Sequence, residues 1–289
     1  MRIIVLGASG QIGSVICSGL RKTHQVIGTS RKPSAKLIPF DPFQDDWSSL
    51  GKAEVVINCV GQIRATSSSS FHRIHLEMTK RIIEGRPLIG NPALIQISAL
   101  GASAEHKADF LRTKGLADDF LLQHPQTTVV RPSIVCTHGT MIVRKMLMLS
   151  NIGRFLFGLL PVPKGFLQTR IQPIMPQDLV DTVRALCDDH GHRVVNAVGP
   201  DPITFKQIIT MLIEIRNQKL RLIEVPKTVT DLIVKNFVSL AIPKVMNSQQ
   251  YQLLFEDNVA DTQMVKQILG RPLMSTKAFF AEEFRYAGN

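Results

Sequence analysis

Short apolar runs separated by helix-length amphipathic segments dominate the first half of the chain. IIVLG, QVIGTS, VVINCVG, ALIQISA and TTVVRPS follow one another in that order, and the alternation of β-rich runs with segments of helical period predicts repeated βαβ units. Runs such as Val55 to Ile57, with Val60 beyond, are apolar on both faces, as strands covered by helices on both sides must be. The pattern predicts an α/β fold built on a doubly wound parallel sheet. Residues 1–135 form the sheet domain, with strand and helix returns from 170–200, and residues 136–289 form a small, mainly helical C-terminal lobe.

After Val135 the pattern loosens. MIVRKMLMLSNIGRFLFGLLP reads as a helical stretch ending at Pro161, followed by a connection through Pro163, Pro173 and Pro176. Pro176 suits a helix start, with Gln177 or Asp178 near the cap and DLVDTVRALCDD continuing at helical period. Thr204 is placed to cap ITFKQIITMLIEIRN. Ser67 to Ser70 reads as a loop over the sheet edge.

Composition narrows the partners. The chain has 289 residues, 44% of them hydrophobic, enough for a substantial core. Cys17, Cys59, Cys136 and Cys187 form no CxxC pair, so neither a disulfide framework nor a metal site is expected, and a reducing cytoplasm fits best. MRIIVLG loses its apolar run at Gly7 with no cleavage pattern after it, so it is read as a first strand rather than a leader. No stretch approaches the ~18 uninterrupted apolar residues of a membrane-spanning helix. Thirty-four Lys and Arg against 23 Asp and Glu leave a net charge of +11, a bias toward anions such as nucleotides or acidic lipid surfaces. Aromatics are only 6% and no basic run is interleaved with them, which argues against nucleic acid as a partner.

The stretch IIVLGASGQIGSVI carries candidate chemistry. Gly7, Gly10 and Gly13 stand at GxxGxxG spacing directly after the first strand and at the head of a helix. In a Rossmann-type turn the first glycine permits the tight backbone, the second lets a pyrophosphate approach, and the third lets the helix pack on the strand. Backbone N–H groups at the helix start then face the phosphates. Ser9, Gln11 and Ile12 belong to this cradle, Ser9 and Gln11 as donors. QVIGTS ends at Arg31 and Lys32, where an acidic residue would take a ribose hydroxyl and an arginine accommodates a 2′-phosphate. NADP(H) is therefore favoured over NAD(H). Asp41, after KLIPF, is placed to accept from the adenine amino group.

GASGQIG, Phe40-Asp41, NCVG at Asn58 to Gly61, ISALGA at Ile97 to Ala102, FLRTK at Phe110 to Lys114 and VVRPSIV at Val129 to Val135 together resemble an atypical short-chain dehydrogenase/reductase. The chain is most similar to the NmrA-like branch that includes the nucleotide-binding accessory subunit of respiratory complex I. IQPIMPQDLVD and VGPDPITFKQII also resemble later family segments, so the likeness spans nearly the whole chain. The resemblance implies that Cys59, Val60 and Gly61 border the cofactor path, that Lys114 holds ribose hydroxyls, and that Arg131 and Pro132 border the nicotinamide.

Active members of the family use a Tyr-xxx-Lys pair and a serine, so that a phenol passes a proton, a lysine lowers its pKa, and a hydroxyl orients the carbonyl. Lys114 and Ser98 match these positions, whereas the tyrosine position is Phe110. A benzyl ring has no proton to give. The two tyrosines, Tyr251 and Tyr286, lie far along the chain; His72, His75 and His106 are the remaining candidate donors, His106 the better placed in sequence. Three readings stay open, in this order: a dinucleotide-binding protein with structural or sensing work, a carbonyl or quinone reductase with non-standard proton chemistry acting on a small-molecule substrate, and a nucleotide-sugar epimerase or dehydratase. Val229 to Val245, with Lys235 and Lys244, and the stretch from Met141 to Pro161 mix apolar and basic residues, a composition suited either to the lobe core or to docking on a membrane face or protein complex.

Overall fold

The computed structural model describes residues 1–32, 34, 36–62, 71–189, 191–226, 228–229 and 251–286. The serine run Ser67 to Ser70 and, apart from Val229, the segment Val229 to Val245 lie outside the described residues.

The strands are β1 (Arg2–Leu6), β2 (Gln25–Ser30), β3 (Ile38–Pro39), β4 (Val55–Asn58), β5 (Ala93–Ile97), β6 (Thr127–Pro132), β7 (Leu159–Pro163), β8 (Arg170–Ile171), β9 (Arg193–Ala197), β10 (Ile203–Thr204) and β11 (Arg221–Val225). The helices are α1 (Gln11–Leu20), α2 (Met78–Gly85), α3 (Asp109–Leu121), α4 (Met141–Phe155), α5 (Pro176–Asp188), α6 (Phe205–Ile215), α7 (Gln263–Leu269) and α8 (Thr276–Tyr286). One sheet of seven parallel strands runs β3-β2-β1-β4-β5-β6-β9. Strand order reverses beside β1, which opens a crevice at the carboxyl ends of β1 and β4.

The two-faced apolarity of the strands is used as the pattern predicts. Ile3 and Val5 pack with Ile16 and Leu20 of α1 and with Leu179 and Val183 of α5. Ile4 and Leu6 pack on the opposite face with Trp47, Ile82 and Leu121. A third cluster forms the smaller, mainly helical lobe, where Val143 and Met146 of α4, Ile208 and Leu212 of α6, and Phe280 and Phe284 of α8 meet Leu160 and Val162 of β7. The fold is thus a Rossmann-type doubly wound sheet with a C-terminal lobe. β9, within the expected 170–200 return, completes the sheet, and Val265, Ile268 and Leu269 of α7, beyond that return, also pack in the sheet-domain core.

One local expectation is corrected. The helix read as ending at Pro161 ends at Phe155, because Phe157 and Gly158 take positive φ (55° and 87°) and turn the chain into β7, which pairs in parallel with β11. α5 starts at Pro176 as expected, with Met175 its N-cap and Gln177 and Asp178 in the first turn next to it. Asp178 also points inward, accepting from Arg271 Nη1 and Met274 N, both at 2.7 Å. Thr204 does cap α6, in a reciprocal capping box with Gln207.

Candidate functional site

The glycines after β1 have three different structural situations. Gly7 has φ +73° and lies against the backbone of Cys59 and Val60, so only a residue without a side chain fits both the turn and the contact. A Cβ on Gly13 would collide with the Gly7 carbonyl, because the first turn of α1 rides directly on the loop. Gly10, the N-cap of α1, has φ −76° and ψ 164°, ordinary extended backbone. A Cβ there meets only Gly7 O at 3.2 Å. Two glycines are thus demanded by packing, and the third leaves room in front of the α1 N-terminus.

Around this cradle, Ser30 Oγ lies 3.0 Å from Ser9 Oγ and accepts from Lys32 N at 3.2 Å, tying the ends of β1 and β2 together. Arg31 and Lys32 are exposed at the end of β2. Gln11 Nε2 donates to Thr137 Oγ1 on the loop after β6, so its side chain already has a partner. Ile12 is half-buried against the sheet core. Asp41 Oδ1 accepts from Phe43 N at 3.0 Å and holds a turn beyond β3. At the end of β4, Asn58 Oδ1 accepts from Val60 N at 3.0 Å while its amide donates to Gln96 Oε1 at 2.7 Å. This buried amide pair shapes the Cys59-Val60-Gly61 loop.

The second group lies between β5, β6 and α3. Lys114 is buried, its Nζ donating to Ile97 O at 3.0 Å and lying 3.3 Å from where a Cβ on Gly61 would stand. Ser98 Oγ donates to Asp118 Oδ2 at 2.8 Å, and Arg131 Nε donates to the same oxygen at 2.9 Å. Pro132 ends β6 beside them. Asp118 is fully buried, and its Oδ1 has no hydrogen-bond partner among the described residues. Burial pushes its carboxyl up, against the pull of Arg131, Ser98 and Lys114. The sequence reading missed this acid, which binds both the serine and the arginine assigned to cofactor and substrate. Its spacing, four residues beyond Lys114 on one helix face, was the available signal.

Burial pushes the Lys114 ammonium down to about 8, with Asp118 and Cys59 opposing. A lysine depressed in the fold contributes stability that is present above its ordinary value of 10.5 and lost as pH falls through about 8. At neutral pH the buried charge therefore destabilises the chain. Lys114→Met is expected to exceed wild type in stability at pH 7 by roughly 1–3 kcal/mol, because Asp118 keeps Arg131 and Ser98. The difference should shrink as pH rises from about 8 toward 10.5. Urea unfolding at both ends of that window measures it; a variant less stable than wild type at pH 7 would mean that attraction to Asp118 outweighs desolvation. Burial also pushes the Cys59 thiol far up, leaving it protonated and unreactive.

The Phe110 ring stands edge-on to Phe71 and His75, with centroids 6.0 and 5.6 Å away. His75 lies in a π-helical turn, Arg73–Glu77, that leads into α2. Thr113 Oγ1 donates to Asp109 O at 2.7 Å, so it accepts from His75 Nδ1 at 2.8 Å, and the buried His75 Nε2 is an acceptor with no partner among the described residues. Burial, reinforced by Lys114, pushes this imidazole down to about 2. His75 is neutral and has no spare proton, which removes it as a general acid. His106 accepts from Ala108 N at 2.9 Å and pairs with Glu256 at 3.0 Å, while His72 lies 3.8 Å from Glu77. Neither is brought to Phe110 by an observed contact.

Residues 3–110 match the NAD dependent epimerase/dehydratase family. Over 294 aligned residues the chain is 25% identical to the Arabidopsis thaliana protein "NADH dehydrogenase (ubiquinone) 1 alpha subcomplex subunit 9, mitochondrial", covering 91% of this chain and 71% of that one. Among solved structures, RMD from Pseudomonas aeruginosa complexed with NADPH aligns with a TM-score of 0.67 at 15% identity, over 98% of this chain and 99% of that one. A tyrosine-to-phenylalanine variant of the UDP-glucuronic acid 4-epimerase of Bacillus cereus, in complex with a fluorinated UDP-sugar and NAD, aligns with a TM-score of 0.70 at 17% identity, over 99% and 98%. The chain thus has a Rossmann-type fold, and its residues 3–110 match the model of the NAD dependent epimerase/dehydratase family.

Proposed function

We propose that this chain binds a nicotinamide dinucleotide across the carboxyl ends of β1, β2 and β4, prefers NADP(H) to NAD(H), and lacks the proton donor of an ordinary reductase. The observation that carries the reading is Gly10: packing requires glycine at positions 7 and 13 but not at 10, where the open space faces the α1 N-terminus. Lys114, buried under Gly61, supplies a cation for the nicotinamide ribose, and Arg31 with Lys32 supplies charge for a 2′-phosphate. The bound dinucleotide would bring hydride chemistry, and these residues would bind and orient it. Phe110 and a neutral His75 leave the site without a general acid among the described residues of this cluster. The work of the chain is then structural or sensing, as befits similarity to a subunit of a larger NADH dehydrogenase. The four free cysteines suit a reducing, cytoplasm-like compartment.

Mass spectrometry of nucleotide retained through purification, followed by titration with NADPH and NADH, tests the reading. Wild type is expected to bind NADPH more tightly. Arg31→Ala should weaken NADPH binding by ~1.5–3 kcal/mol, the strength of a charged hydrogen bond, and leave NADH nearly unchanged. Equal wild-type affinities would remove the NADP(H) assignment while leaving dinucleotide binding intact.

A second reading, reduction of a carbonyl or quinone, is favoured by the retained Lys114. It requires a donor supplied by substrate or water, because Ser98 directs its hydroxyl to Asp118.

A further inference from the structure

We propose that the tip joining α4 to β7 inserts into the interface of an anionic lipid bilayer, a role separate from dinucleotide binding. Phe155, Leu156 and Phe157 are consecutive and 83%, 38% and 99% exposed. Leu159 on β7 and Ile223 on β11 are exposed beside them. The register puts Arg221 opposite Leu159 and Ile223 opposite Pro161, while the alternate residues Leu160 and Val162 are buried in the lobe. One face of this strand pair therefore belongs to the core, and the other continues the apolar tip outward. Phe157 adopts φ +55°, a conformation uncommon and strained for a bulky residue. The turn is held by Gly158 N to Gly153 O at 2.9 Å and Arg221 N to Gly158 O at 2.7 Å. Among the described residues no contact offsets this strained, solvated benzyl ring.

Charge identifies the occupant. Arg154, immediately before Phe155, and Lys164, just after β7, are exposed, and Glu224, the acid of β11, accepts from Gln168 Nε2 at 3.0 Å. Lys219 and Arg221, both exposed, add cations across the strand pair. A bilayer interface accepts an aromatic wedge without complementary shape, and its acidic headgroups attract the basic rim.

Flotation of the full chain with vesicles of phosphatidylcholine alone, and of phosphatidylcholine mixed with phosphatidylglycerol, tests this at low and high salt. Wild type is expected to float with the anionic vesicles only, and less so at high salt. Phe155→Ser combined with Phe157→Gly, which accepts the left-handed backbone without the ring, should lower the bound fraction about tenfold or more. Circular dichroism and NADPH affinity should not change. In Phe157→Trp, brominated acyl chains should quench the new indole, since the single native tryptophan, Trp47, is buried. Absence of wild type from every vesicle fraction overturns the proposal, as does equal flotation of the double variant. Lipid-free self-association that the double variant loses would also overturn it, by assigning the tip to a second copy of the chain.

Discussion

Gly10→Val is expected to abolish binding of NADPH and NADH while the chain stays folded. The backbone at Gly10 (φ −76°, ψ 164°) is one that valine adopts readily, and its Cβ meets only Gly7 O at 3.2 Å. The isopropyl group would occupy the space in front of the first N–H groups of α1, where the phosphates must come. Affinity should fall about a hundredfold or more, because neither the loop nor the ligand has another way to make that approach. Gly13→Ala supplies the contrast. Its methyl group runs into the Gly7 carbonyl, a backbone atom that cannot swing aside, so this variant should lose stability, on the order of 1–3 kcal/mol. Calorimetry with thermal melts separates a binding glycine from a packing glycine. Undiminished NADPH affinity in a folded Gly10→Val would reduce the motif to a loop between a core strand and a core helix.

Phe110→Tyr is expected to raise NADPH-dependent carbonyl reduction from a negligible wild-type rate by roughly 10²–10⁴-fold, the usual contribution of a positioned general acid. Residues 110 and 114 are four apart on α3, so they share a face. The Lys114 ammonium would lower the pKa of the added phenol. Phe110 is only half-buried, which leaves room for the hydroxyl at modest cost. A panel of aldehydes, ketones and quinones, read as NADPH oxidation, measures the effect. Robust turnover by wild type would overturn the binding-protein reading and return attention to His106 and Ser98. No gain in the variant would mean that the Ser98-Asp118-Arg131 network holds the site in a geometry unsuited to carbonyl chemistry.

The parallel sheet was legible in the amino-acid order because period and composition are local properties: five apolar runs, helical segments between them, and a glycine triplet at the first turn. The capping of α6 by Thr204 was legible for the same reason, since a cap and its partner are three residues apart. The absence of a phenol at position 110 needed no coordinates at all. Other features depend on residues distant in the chain. Met141 to Pro161 has enough helix formers to read as one helix, and only its parallel partner β11, some sixty positions on, makes Leu159–Pro163 a strand. Asp178 was legible as a residue near the start of α5, but only the fold brings Arg271 and Met274 to it. Periodicity places His75 on a helix. Only burial makes it neutral, and only Thr113 leaves its Nε2 bare. Sequence alone thus determined the sheet, the glycine turn after β1 and the lack of a phenol at position 110, because each is written in neighbouring residues. Tertiary structure alone decided which glycine is free, which acid holds Ser98 and Arg131, and how far Lys114 is desolvated, because long-range packing sets contact and dielectric.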